Sequence, residues 1–210
     1  MQIDHAAFFN GHRAAFGKLT TSQVSGFEVL GRNMEVDPAL TDLRHAAYML
    51  ATVKHECANT WLPIVERGPR SYFDQYEPGT AKARRLGNVE PGDGFRFRGR
   101  GYVQITGRGN YARMTRELAL PDTEDLEKDP EQTLRPAIAY RIMSIGMTKG
   151  LFTGKKLGDF ISGGVCDYKN ARRIINGVDQ AALIAGYAQA FEAILKSVIT
   201  INVAAAHAVF

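Results

Sequence analysis

The 210-residue sequence is poor in the residue types that mark several common classes of functional site. Its two cysteines, Cys57 and Cys166, lie far apart and form no CxxC pair. We interpret them as two buried thiols of a protein in a reducing compartment, with a disulfide as the alternative. The five histidines show no metal-ligand spacing, since Asn59 stands where a zinc-protease motif starting at His55-Glu56 requires its second histidine. No metal site is expected.

Motifs for nucleotide binding and for nucleophilic catalysis are also missing. The segment Gly99-Arg100-Gly101 begins like a dinucleotide-binding fingerprint, but Gln104 occupies the position of the third glycine. The sequence contains no P-loop lysine and no GxSxG elbow. We therefore expect no cofactor and no serine-type chemistry.

Charge and hydropathy set weaker limits. The 26 Lys and Arg against 22 Asp and Glu give a net charge of +4, which favours a polyanionic partner. The basic residues are dispersed, so nucleic acid is not expected.

Residues 1–10 show no secretory signal, which predicts a cytoplasmic protein. The apolar tail from Ser197 to Phe210 is shorter than the roughly 20 residues of a spanning helix, so we expect a docked tail or last helix without a stable membrane anchor.

The spacing of apolar residues predicts a mainly helical chain. Thr21-Ser22 is expected to cap an early helix, and Thr41 to cap a helix that buries one face and carries Glu56 near its end. Pro136 opens a helix that Lys149-Gly150 closes. Residues 170–176 are expected to be helical, and Asp179 is expected to cap a last helix with these residues inward: Leu183, Ile184, Tyr187, Phe191, Ile194 and Leu195.

The middle of the chain has a different composition. Its prolines and glycines exclude a long helix over residues 63–94, so we expect an ordered loop region that shapes a cleft. Residues 95–106 alternate like a strand, which would send Gln104 and Thr106 to the same face. The sequence thus predicts one folded domain over residues 1–210, predominantly helical with a small β element.

Two glutamates could carry chemistry. Hydrolysis of a glycosidic bond without a cofactor needs one carboxylic acid for the leaving oxygen and a second carboxylate for the attacking water or the sugar. Glu56 lies at a helix end, and Glu66 follows ten residues later in the loop region. On spacing alone, a surface role for each remains open.

Three blocks of sequence resemble glycoside hydrolase family 19, which contains plant-type chitinases and bacterial and phage peptidoglycan hydrolases. They occur in the family's order and consist of a helix ending in His-Glu, a GRG-x-x-Q-[IL]-[ST] strand followed by Asn-Tyr, and an IING turn. In this chain they are residues 48–56, residues 99–106 with Asn110-Tyr111, and residues 174–177.

The resemblance implies roles for individual residues. Glu56 corresponds to the general acid, Glu66 to the general base, and Thr106 to the residue that holds the attacking water. The remaining matches correspond to the sugar-binding side chains of the motif: Gln104, Asn110, Tyr111 and Asn176. The implied fold is the lysozyme-like, two-lobed α+β type with a central cleft.

The chain departs from the family pattern at two places. Cys57 and Ala58 follow His-Glu, where the family has Thr or Ser and then Gly, so a hydroxyl contact beside the acid is not expected. The loop between Glu66 and Phe95 also differs from the family, so Glu66 rests on a shorter match than Glu56. Four other loop acids remain alternatives for the base: Asp74, Glu77, Glu90 and Asp93.

These matches imply an endolysin-like glycosidase, a monomer that cleaves β-1,4 bonds of peptidoglycan or a related N-acetylated polysaccharide with inversion. It would remain in the host cytosol until it is released to the cell wall, where cleavage lyses the cell. The alternatives are a chitinase that acts on chitin oligomers and a non-catalytic glycan-binding protein of the same fold.

Overall fold

A computed structural model describes residues 1–200. The chain divides into two compact units: a first unit of residues 1–61 with the segment from Gly146 onward, and a second unit of residues 62–145. The last part of the apolar tail, residues 201–210, lies outside the described residues. Each unit is mainly helical with two-residue strands, which confirms the predominantly helical α+β class.

The helices and strands are short. In chain order they are β1 (Gln2–Ile3), α1 (His5–Phe16), α2 (Thr21–Glu35), α3 (Leu43–Glu56), β2 (Ile64–Val65), α4 (Ala81–Leu86), α5 (Asp93–Arg96), β3 (Arg100–Gly101), α6 (Arg108–Glu117), α7 (Pro136–Lys149), β4 (Ile161–Ser162), β5 (Val165–Cys166), α8 (Ala181–Val198) and β6 (Ile199–Thr200). Short 3-10 helices occupy Arg70–Tyr76, Asp122–Glu124, Pro130–Leu134, Leu157–Asp159 and Asn170–Ile174.

The core of the first unit forms where α3 packs along α8. Every residue of α3 from Ala46 to Val53 is buried, so this helix is enclosed on all sides along its middle. Four large aromatic side chains extend the core towards α1 and α2: Phe8, Phe27, Trp61 and Phe191. Glu56 is the last residue of α3 and is therefore positioned by the most deeply buried helix of the unit.

The helix starts differ by one residue from several predictions. Asp42, not Thr41, caps α3, because its carboxylate accepts a hydrogen bond from the Arg44 amide. Thr20 caps α2 and forms a reciprocal capping box with Gln23. α8 begins after Gln180 rather than after Asp179. The prediction that Leu183 of α8 faces inward is wrong, since Leu183 is 44% exposed.

The second unit contains more regular structure than expected. The predicted loop over residues 63–94 includes β2, the Arg70–Tyr76 3-10 helix, α4 and the start of α5. Prolines and glycines prevent a long helix but allow these short ones; Gly87, for example, ends α4 in the left-handed conformation, with φ of 69°. α7 starts at Pro136 and ends at Lys149, as predicted.

The predicted strand over residues 95–106 is wrong for most of its length. Only Arg100 and Gly101 form a strand, and they pair antiparallel with Val65 and Ile64 of β2. The chain then reverses, because the Arg100 and Ile105 backbones exchange two hydrogen bonds of 3.0 and 3.1 Å. Residues 102–104 form the turn between them, so the strand alternation expected for this segment does not apply.

Candidate active site

In the first unit, Glu56 is held by an arginine from a distant part of the chain. Arg172 Nη1 donates to Glu56 Oε1 at 2.5 Å, and the exposed fractions of the two side chains are 4% for Arg172 and 17% for Glu56. Arg172 Nε also donates to the Asp179 carbonyl at 3.1 Å, which fixes the guanidinium. An ion pair this well shielded from water holds the carboxylate in one orientation.

A buried tyrosine lies in the electrostatic surroundings of this pair. Tyr48 of α3 is fully buried, and its hydroxyl has no hydrogen-bond partner in the described part of the chain. Burial raises the pKa of Tyr48; the Arg172 charge opposes this shift and the Glu56 charge adds to it. Tyr48 therefore keeps its proton and adds a neutral, polar group near the pair.

Asn176, the remaining candidate in the first unit, follows the Arg172 turn. Its backbone amide donates to the Arg172 carbonyl at 3.1 Å, while its exposed side chain accepts from the Gly177 amide at 2.9 Å. A backbone hydrogen bond thus joins Asn176 to Arg172, and the side-chain amide group of Asn176 lies on the surface. Its sugar-binding role stays a prediction.

In the second unit, Glu66 continues the β2–β3 pairing by one residue. The Glu66 amide donates to the Gly99 carbonyl at 2.7 Å, and the Gly99 amide donates to Glu66 Oε2 at 2.9 Å. The Tyr76 hydroxyl donates to Oε1 at 3.3 Å. Both carboxylate oxygens therefore have donors, and the half-buried carboxylate is fixed at the end of a strand.

Gln104 lies against the same glycine. A Cβ atom at Gly99 would be 2.9 Å from Gln104 Oε1 and 3.1 Å from Glu66 Oε2, so only glycine leaves room for both side chains. Gln104 Nε2 donates to the Ile64 and Gly101 carbonyls, each at 3.0 Å. The amide nitrogen is thus used within the fold, and the amide oxygen lies against Gly99.

Thr106 and Asn110 form one short network after this turn. Thr106 Oγ1 donates to the Gln104 carbonyl at 3.1 Å, and Asn110 Nδ2 donates to the Thr106 carbonyl at 2.7 Å from the first turn of α6. Both side chains are half-buried. The second unit therefore brings together Glu66, Gln104, Thr106 and Asn110 through consecutive contacts.

Tyr111 requires a correction. Its ring is fully buried, and its hydroxyl donates to the Arg98 carbonyl at 2.7 Å while accepting from Arg100 Nη1 at 3.1 Å. A side chain without exposed surface offers no contact to a sugar. Tyr111 instead supports the backbone that precedes the Gln104 turn.

The other loop acids considered for the base have structural partners or lie in the open. Arg108 forms ion pairs with Asp93 at 2.6 Å and with Glu90 at 2.8 Å. Burial opposes ionisation of Asp93, but the hydrogen bonds from Arg108 and from the backbone outweigh it and lower the pKa of Asp93. Glu77 accepts from two backbone amides, and Asp74 is exposed. Glu66 and Glu77 each have donors on both carboxylate oxygens, so these contacts do not separate the two, and Glu66 as the base stays a prediction.

The described residues also bear on metal binding and on the state of the two thiols. No group of three or more His, Cys, Asp or Glu side chains is close enough there to hold a metal ion. Cys57 is buried but Cys166 is exposed, and neither forms a disulfide, so the prediction of two buried thiols is wrong for Cys166. Among the helices within residues 1–200, none has the length and hydropathy of a membrane span.

Comparisons with known proteins place this geometry in a family context. No family model matches the chain. A glycosyl hydrolase family 19 domain-containing protein of Haemophilus influenzae is 28% identical over 153 residues, which cover 60% of this chain and 74% of that protein. Chitinase C from Streptomyces griseus superposes with a TM-score of 0.58 at 16% identity, over 95% of this chain and 79% of the chitinase. The chain resembles glycoside hydrolase family 19 in sequence and fold.

A second bacterial family 19 chitinase superposes with a TM-score of 0.51 at 15% identity, over 92% of this chain and 94% of the other. The family 19 resemblance and the enzyme class expected from the sequence, a glycoside hydrolase, are thereby confirmed. Arg172 is the site residue that the sequence did not reveal. Its position two residues before the block at 174–177, which resembles the family, was the available signal.

Proposed function

We propose that the protein is an inverting glycosidase that cleaves β-1,4 bonds of an N-acetylated polysaccharide, with Glu56 as general acid and Glu66 as general base. The observation that carries the proposal is that each glutamate is half-buried and held by hydrogen-bond donors at the position that the family resemblance assigns to it. Inversion requires the two carboxyl groups to act on one bond from opposite faces of the sugar.

The contacts of Glu56 assign different tasks to its two oxygens. Arg172 occupies Oε1 and, as an arginine, cannot accept a hydrogen bond from a protonated carboxyl group. Oε2 is therefore the oxygen that carries the proton to the leaving group. Arg172 keeps the carboxyl plane aligned during this transfer, which is the orientation effect that general-acid catalysis needs.

Glu66 has the complementary arrangement. Its two oxygens accept hydrogen bonds from Tyr76 and Gly99, and a carboxylate has about four acceptor sites, so lone pairs remain for a water molecule. Thr106, whose hydroxyl both donates and accepts, is proposed to hold that water. Gln104 and Asn110 offer amide oxygens to the N-acetyl or hydroxyl groups of the sugar.

Peptidoglycan is the proposed substrate, in an endolysin-like role that leads to cell lysis. The net charge of +4 supports a polyanionic wall polymer over neutral chitin. Chitin oligomers are the second candidate, because both structural neighbours described above are chitinases. A glycan-binding protein without activity is the third candidate, and the hydrogen-bonded state of both glutamates argues against it.

Glutamine substitutions test the proposal. Glu56→Gln keeps an oxygen for Arg172 but removes the proton, so release of reducing ends from purified peptidoglycan should fall by about 10²-fold or more. Glu66→Gln should do the same, while Asp74→Asn, which changes an exposed acid in the same region, should retain full activity. Wild-type cleavage of chitin oligomers with intact peptidoglycan would favour the chitinase, and full activity of Glu56→Gln would overturn the assignment.

A further inference from the structure

Two tyrosines of one short element lead from the surface to Glu66. Tyr72 and Tyr76 belong to the Arg70–Tyr76 3-10 helix; Tyr72 is 46% exposed and Tyr76 is half-buried. Their rings meet edge to face, with centroids 6.4 Å apart at 90°. The Tyr76 hydroxyl donates to Glu66 Oε1 at 3.3 Å.

The hydroxyl of Tyr76 remains a donor at all working pH values. Burial is the main cause that raises the pKa of Tyr76, and the charge of Glu66 and the contact with Tyr72 add to it. The cations near this group are Lys82, whose Nζ is 5.5 Å from the centroid of the Tyr76 ring, and Arg98, which interacts electrostatically with Glu66. Neither changes when only the hydroxyl is removed.

We propose that Tyr76 is a positioning residue for Glu66, and that the edge-to-face contact with Tyr72 supports the Tyr76 ring. This inference rests on the proposed function, because it concerns the base of that reaction. The Gly99 amide fixes one oxygen of Glu66 and Tyr76 fixes the other, so the plane of the carboxylate is set by two donors from different elements. Removing one donor lets the carboxylate rotate about its last torsion.

A tyrosine suits this position because Glu66 changes from acceptor to donor during the reaction. The attacking water forms a bond to the anomeric carbon and loses a proton to Glu66, while the glycosidic C–O bond breaks and the leaving oxygen takes the proton of Glu56. A hydroxyl can both donate and accept. Tyr76 can therefore accept from the protonated Glu66, which an arginine or lysine could not do.

The experiment compares pH profiles of Tyr76→Phe and the wild type. Tyr76→Phe removes a hydrogen bond to the charged form of Glu66 and so disfavours its carboxylate. The acid limb of the profile, where kcat/KM falls as the pH decreases, should therefore move to higher pH by about half to one unit. At neutral pH kcat should fall by about threefold to tenfold with KM unchanged within about twofold, since the ring stays in place.

Tyr168→Phe is the matched control. Tyr168 is a buried tyrosine of the first unit whose hydroxyl donates to Glu192 Oε2 at 2.9 Å, so the same atom is removed from the same kind of contact. It should leave the acid limb where it is. An unmoved limb in Tyr76→Phe, with Glu66→Gln inactive, would overturn the inference and leave the proposed function intact.

A second readout does not depend on activity. Carbon-13 NMR of glutamate-labelled protein follows the side-chain carboxyl of Glu66, identified by its absence in Glu66→Gln. Its titration midpoint should be higher in Tyr76→Phe than in the wild type and unchanged in Tyr168→Phe. Equal midpoints in all three proteins would overturn the inference, whereas full activity of Glu66→Gln would remove Glu66 as the base and the positioning role with it.

Discussion

Acidification is predicted to destabilise the first unit through one buried histidine. His12 of α1 is 1% exposed, and neither ring nitrogen has a hydrogen-bond partner within residues 1–200. Aromatic rings surround it, including Phe16 and Trp61. Burial and then the charge of Lys54 lower the pKa of His12 to about 4, opposed in part by the nearby backbone of Gly17.

The size of the effect follows from the two pKa values. The value for the unfolded chain is 6.5, and the folded state lowers it to about 4. One unit corresponds to about 1.4 kcal/mol, so the neutral buried ring contributes at most about 3.4 kcal/mol. Because the folded-state pKa is the lower one, this stability is complete above about pH 7 and is lost as the pH falls from 6.5 towards 4. About 2 kcal/mol is lost by pH 5.

Urea unfolding at pH 7.5 and pH 5 measures this loss. The wild type should lose about 2 kcal/mol more than His12→Leu between the two pH values, because the variant has no group there to protonate. The difference between pH values is the readout, since the substitution also changes packing at both. His45→Gln is the control, as it removes a histidine that already contacts the Ile161 carbonyl at 2.9 Å. Equal pH dependence of His12→Leu and the wild type would refute the reasoning.

Two substitutions test the fixed geometry of the site. Arg172→Gln should lower the free energy of unfolding in urea by about 3 kcal/mol, because it leaves the shielded Glu56 carboxylate without its partner. The control, Arg173→Gln, changes an exposed neighbour and should stay within about 0.5 kcal/mol of the wild type. Similar losses for both variants would contradict the ion pair. Gly99→Ala would place a Cβ 3.1 Å from Glu66 Oε2 and should lower kcat by about tenfold or more. The control, Gly164→Ala, adds a Cβ that meets no atom within 4 Å and should retain full activity. A fully active Gly99→Ala would contradict the close approach of Glu66 to Gly99.

Local patterns were enough for two of the longer helices, α3 and α7. The apolar spacing before Glu56 predicted α3 and placed Glu56 near its end, and α7 starts at Pro136 as expected. These elements are governed by burial of one or more faces and by first-turn chemistry, both of which are visible within about four residues. The errors of one residue at the caps of α2 and α3 arise because neighbouring hydroxyl and carboxylate side chains can serve equally well.

The central turn could not be predicted in the same way. Alternation over residues 95–106 indicated a strand, yet Gln104 adopts a φ of +55°. This left-handed conformation is stabilised by its own side chain, which bonds to the Ile64 and Gly101 carbonyls. A pattern of alternating residues carries no information on such a contact to a carbonyl 40 residues away.

The ion pair of Glu56 illustrates the same limit. Arg172 lies 116 residues further along the chain, so no local motif links the two. The sequence contains 26 basic residues, and charge alone does not single out the one that becomes buried. The family resemblance supplied the acid and the surrounding block, whereas the partner of the acid required the fold.

Mass spectrometry of fragments released from purified peptidoglycan shows whether Glu56 and Glu66 carry out glycoside hydrolysis. We expect the wild type to release muropeptides with new saccharide reducing ends, and Glu56→Gln at the same concentration to release about 100-fold fewer. A wild type that generates no new reducing ends, or a Glu56→Gln variant that generates as many as the wild type, would contradict it.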